Sequence, residues 1–161
     1  MAPGPNGVRR SMALKTGTFQ WVSLASTASV YVLIVLGGIV TSTNSQLACP
    51  DWPLCNGRII PTFTIPVLLE YTHRVWALVV TALVVTTAIM AWRNYRWSNT
   101  ITKLAMLTFV LLWSQVILGM VTVDSGGLPA MVTSHLALAT LVFASALMTS
   151  AVSMTRNVRS L

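Results

Sequence analysis

Four apolar runs separated by short polar connections organise this chain. Thr16 to Pro50, Val75 to Trp92, Leu104 to Val123 and Ser125 to Thr155 contain no charged side chain. Each reaches about the 18 to 20 residues that cross a hydrocarbon layer ~30 Å thick. None alternates with a period of two, as a membrane barrel strand would, and backbone groups in lipid must be satisfied within their own segment. The pattern therefore predicts an all-α fold, a transmembrane four-helix bundle with spans near 20–42, 68–92, 103–124 and 130–153. A single domain, 19–155, would follow a flexible tail, 1–18, with a connecting loop at 44–66. The first apolar run continues well past the small residues Ala25 to Ala28, so helix 1 reads as a retained span rather than a cleaved leader.

Composition agrees: of 161 residues, 55% are hydrophobic and 8% charged. A net charge of +7 raises nucleic acid as a partner, but the ten basic residues are not gathered into one patch. Arg9, Arg10 and Lys15 precede helix 1, Arg93, Arg96 and Lys103 lie between helices 2 and 3, and Arg156 and Arg159 follow helix 4. The connections on the other side hold Arg58, Asp51 and Asp124. By the positive-inside rule both termini are cytoplasmic and the 44–66 loop is extracytoplasmic, in a cell-membrane protein whose partner is the lipid bilayer and not nucleic acid.

The chain also repeats weakly. Aligned without gaps, LGGIVTSTNS and ILGMVTVDSG match at Gly38/Gly119, Val40/Val121 and Thr41/Thr122, and laying His73 on His135 pairs Ala77 with Ala139 and Val80 with Val142. Two repeated helix pairs imply a pseudo-twofold axis along the membrane normal. Gly37, Gly38 and Gly119 would then let helices 1 and 3 pack closely.

His73 and His135 are the chain's two histidines, and the repeat sets them at matched depth, facing across the bundle. They read either as helix-end histidines hydrogen-bonded at the interface or as ligands: two neutral imidazoles so placed can supply both axial bonds to a haem iron, whereas zinc wants three or four protein ligands. Glu70 precedes His73 by three residues on one helix face, and Arg74 stands four after Glu70. Two compatible readings apply: an i,i+4 ion pair at the membrane edge, or Glu70 as an intramembrane site carboxylate with Arg74 on a haem propionate. Cys49 and Cys55 lie in the loop, either as a structural staple or as a redox-active pair.

The ordered set LGGIVTSTNSQLACPDWPLCNGRIIP followed by LLEYTHR resembles the first half of a haem A synthase, strongly over about 30–80 and weakly over 114–140. The resemblance implies oxidation of a ring methyl of haem O to the formyl group of haem A, with haem b as cofactor. It assigns Glu70 and His73 to catalysis, His73 and His135 to iron, Arg74 to the haem, and Cys49–Cys55 to a disulfide. A haem O synthase and a terminal oxidase are the implied neighbours in haem supply and use. Members of that family typically carry eight spans, so four spans here imply either a single bound haem or, the favoured reading, a homo-oligomer, at least a dimer. Two other functions explain part of the pattern: a bis-histidine b-type cytochrome, which leaves Glu70 and the cysteines without a role, and a thiol-oxidising four-helix membrane protein, which leaves out the histidines.

Overall fold

The computed structural model describes residues 5–95, 97 and 99–158, with side chains over 17–95, 97 and 99–155. Four helices carry the fold: α1 (Pro5–Ser42), α2 (Ile65–Asn94), α3 (Thr100–Asp124) and α4 (Pro129–Val158). All four are long and apolar enough to cross a membrane, and among the described residues no strand forms. This is the expected all-α bundle. Helical backbone begins at Pro5, inside the stretch read as a tail, and the membrane-length part of α1 is Gly17–Ser42. Of the basic residues behind the orientation argument, Arg96 and Arg159 lie outside the described residues, as do the side chains of Arg9, Arg10, Lys15 and Arg156.

Local chemistry sets the helix ends. Proline opens α2 at Pro66 and α4 at Pro129, where a missing N–H costs nothing. Asn99 caps α3 by accepting from the Ile101 amide at 3.0 Å. At the loop end, α1 and α3 stop in the same way. The Ser45 amide reaches back to the Val40 carbonyl and the Asn44 amide to Thr41, while Gly127 reaches Thr122 and Gly126 reaches Val123. Asn44 and Gly126 hold φ of 53° and 68°, the left-handed turn that such a terminator requires.

Those paired terminators give the true register of the repeat. Val40 corresponds to Thr122 and Gly37 to Gly119, one residue away from the alignment that identity favours. Burial follows the same shift down α1 and α3: Phe19 with Ile101, Ser26 with Thr108, Val30 with Leu112. The α2/α4 pairing through the histidines stands, with Val80 and Val142 both buried. Shared residue identities at Val40/Val121 and Thr41/Thr122 misled the ungapped match, because lipid-facing and core-facing positions both accept Val and Thr.

Around the ring, α1 packs on α2 and α4, and α3 on α2 and α4, while the diagonal helices do not approach one another. The expected close packing of helices 1 and 3 is therefore wrong. Val30, Val80, Val84, Leu112 and Val142 fill the centre. Beneath them the hydroxyls of Ser26 and Thr87 meet at 3.2 Å, and Thr108 donates to Ser145 at 3.0 Å. Each pair joins a repeat-related helix couple without leaving a polar atom bare.

Candidate functional site

His73 and His135 stand on diagonal helices, each laid against the helix that precedes its own. A Cβ at Gly37 would fall 3.1 Å from His73 Cε1, and one at Gly119 would fall 3.0 Å from His135 Cε1. Ordinary carbon contacts sit near 3.5–4.0 Å. The two glycines are thus shelves for imidazoles, a role the pattern alone attributed to helix packing. At neighbouring Gly38 an added Cβ meets nothing within 4 Å.

Both histidine rings bury Nδ1 without a hydrogen-bond partner. The symmetry stops there. Gln115 on α3 donates through Nε2 to the His135 backbone carbonyl at 3.0 Å and lies 3.1 Å from His135 Nε2. Its counterpart in the first repeat is Leu33, which has no polar atom to offer His73. Conversely, Glu70 and Arg74 on α2 correspond to Val132 and Leu136 on α4. The carboxylate is confined to one side of the bundle.

Glu70 sits one turn before His73 and is 5% exposed. Its Oε1 accepts from Arg74 Nε at 2.8 Å. Arg74 is busy elsewhere as well: Nη1 donates to the carbonyls of Asp51 (2.7 Å) and Leu54 (2.9 Å), and Nη2 to that of Cys49 (2.6 Å). Four of its five N–H donors are thereby held within the protein. The arrangement serves the ion pair and a clamp on the loop, and leaves one N–H for any other partner.

Cys49 and Cys55 are joined in a disulfide and are 0% and 2% exposed, packed with Val67 under the loop. Thiol exchange needs an approachable sulfur, so this burial suits a staple. Just past the ring that the disulfide closes, Asn56 and Gly57 take positive φ in a tight turn between Cys55 and Arg58. The Asp51 carboxylate accepts from the Gly57 amide at 2.7 Å and the Asn56 amide at 2.6 Å. Those amides, Gly57 above all, hold Asp51 below its usual 3.8. A depressed carboxyl contributes when ionised, so this anchor holds at neutral pH and is lost only as acid protonates it below that value.

Arg74→Met keeps the stem and removes every donor, leaving Glu70 buried without its partner. Loss of about 3 kcal/mol of stability is expected, read as a lower melting temperature in detergent and faster proteolysis within 49–58. Unchanged protection of that segment would mean that the disulfide alone holds the loop.

Two half-buried imidazoles on diagonal helices, each in a cradle that a Cβ on the facing glycine would fill, fit the axial positions of a haem iron. Comparison with known proteins decides the family. The profile described as cytochrome oxidase assembly protein (COX15-CtaA) matches residues 20–66 and 62–160, which include every residue of the site. The chain belongs to the haem A synthase family. It is 30% identical over 131 residues to the Heme A synthase of Bacillus mycoides (strain KBAB4), and 29% identical over 131 residues to those of Bacillus cereus (strain AH187) and Bacillus anthracis (strain CDC 684 / NRRL 3495). Each match covers 80% of this chain and 42% of the relative. The chain thus spans less than half the length of the haem A synthases it matches.

Within this haem A synthase family member, the structure gathers Glu70, His73 and Arg74 on one helix and places His135 diagonally opposite. Gln115 escaped the sequence reading. The signal available was the amide in WSQVILG, within a span that carries no charge, one turn from Gly119.

Proposed function

We propose that this chain is a haem A synthase, an oxidoreductase that converts a ring methyl of haem O into the formyl group of haem A with the help of bound haem b. In that reaction the methyl carbon loses two hydrogens and gains an oxygen, a four-electron oxidation whose electrons must pass to an acceptor outside this chain. The observation that carries the reading is the conjunction of two glycine-shelved histidines with a buried carboxylate on only one side. An electron-transfer cytochrome has a use for the first feature and none for the second.

His73 and His135 would hold the iron, and bound haem supplies the electron chemistry. Glu70 would accept a proton from the reacting group or stabilise positive charge developing beside it. Arg74 keeps that carboxylate in place by holding both it and the cysteine loop. The oxygen source and the electron acceptor are separate from these roles.

Two histidines provide axial ligands for one haem, whereas the reaction involves a cofactor haem and a substrate haem. The reading therefore includes a homo-oligomer, at least a dimer, with haem b in one bundle and haem O in another. Both termini would lie on the cytoplasmic side of the cell membrane and the cysteine loop outside it, a reading supported by the positions of eight of the ten basic residues. A haem O synthase would supply the substrate and a terminal oxidase would take the product.

The absorption spectrum of the purified protein and chromatography of its extracted haem test this reading. Six-coordinate bis-histidine haem, lost in His73→Ala and His135→Ala and containing haem O or A beside haem b, is expected. Haem b alone would leave a cytochrome, and a colourless protein would remove both.

A further inference from the structure

The Gln115–His135 contact resolves a question of proton placement that distances alone leave open. Gln115 Nε2 lies 3.0 Å from the His135 carbonyl oxygen, which only accepts. The amide must therefore present its NH2 group there, since its oxygen would face that carbonyl repulsively. The same nitrogen lies 3.1 Å from His135 Nε2. Because the amide nitrogen only donates, His135 Nε2 must carry its lone pair, and the ring proton sits on Nδ1. That lone pair is the one an iron would take.

Resting on the haem-binding reading, we infer that Gln115 is a reversible cap on His135, occupying the Nε2 lone pair until iron displaces it. His135, rather than His73, is then the ligand whose release governs haem entry and exit. His73 has no such competitor, because Leu33 stands where Gln115 does in the other repeat. The cap leaves without losing its second anchor, since the backbone carbonyl still holds the amide. Gln115 acts through His135 and is a positioning residue for ligation. Its Oε1, buried without a partner, marks an amide held by its nitrogen alone.

The test is titration of the haem-free, detergent-solubilised full chain with ferric protoporphyrin IX, following the bis-histidine absorbance, for wild type, Gln115→Leu and Gln115→Met. Helix content and melting temperature identify a variant that fails to fold. Removal of one neutral hydrogen bond from the apo state predicts about fivefold tighter binding, equivalent to about 1 kcal/mol, and faster association. His135→Ala removes the bis-histidine band altogether and provides the baseline. Equal or weaker binding by a folded Gln115 variant, with wild type forming the band, overturns the cap while leaving the haem reading in place. Failure of wild type itself to form the band overturns both.

Discussion

If the bundle holds haem as proposed, Gly37→Val and Gly119→Val are each expected to strip it of most of that haem, while Gly38→Val is expected to leave the haem content near that of wild type. The three substitutions are chemically identical and two of the positions are adjacent, so general effects on helix propensity cancel. The difference lies in what the new side chain meets. At Gly37 and Gly119 even the first added carbon stands 3.1 and 3.0 Å from an imidazole carbon. The ring, carried on a packed helix, has to tilt from its shelf. A branched side chain adds two methyls to that intrusion, and overpacking of this kind costs about 1–3 kcal/mol, or roughly five- to 150-fold in ligation. Haem per chain, measured on folded protein, reads the loss. Equal losses at Gly38 would mean that the glycines serve helix packing after all.

Glu70→Gln is expected to lower haem O conversion by a hundredfold or more while leaving the haem content unchanged. Glutamine keeps an oxygen for the Arg74 Nε donor 2.8 Å away, so the clamp on the Cys49, Asp51 and Leu54 carbonyls survives. What it removes is the negative charge and the ability to take a proton. Acid–base or charge-stabilising groups of this sort typically contribute about 10²–10⁴ in rate. A fall in haem content to match the fall in conversion would make Glu70 a support for the site and not a participant. Glu70→Ala is the poorer test, since it also leaves Arg74 without its anionic partner.

These contrasts locate what could be read from the chain and what could not. The histidines, Glu70 and the cysteines were legible because they are rare residue types in a chain of apolar helices, and burying a polar group in lipid demands a reason. Helix ends were legible to within a few residues of Pro66, Asn99 and Pro129, where local chemistry decides. The register of the repeat was not. Identity drew Gly38 onto Gly119, whereas burial and the two left-handed terminators at Asn44 and Gly126 set Gly37 there. Arg74's bonds depend on three carbonyls 20 to 25 residues away, turned inward by the disulfide loop, and no local pattern announces them. Gln115 was invisible for a related reason: a single amide on a helix acquires meaning only from the backbone carbonyl and imidazole opposite it.

The asymmetry between the repeats bears most on function. Shelves at Gly37 and Gly119 seat the two imidazoles in the same way. Glu70 in place of Val132, and Gln115 in place of Leu33, make them different in what surrounds them. Binding alone would be served by symmetry, whereas chemistry at one ring substituent needs a carboxylate on one side. The most direct measurement is the haem extracted from cells that make haem O, with and without this chain, separated by chromatography. Appearance of the formyl-bearing haem A with the wild-type chain and its absence with Glu70→Gln is the predicted result; haem O unchanged in the presence of folded, haem-loaded wild type would contradict the account.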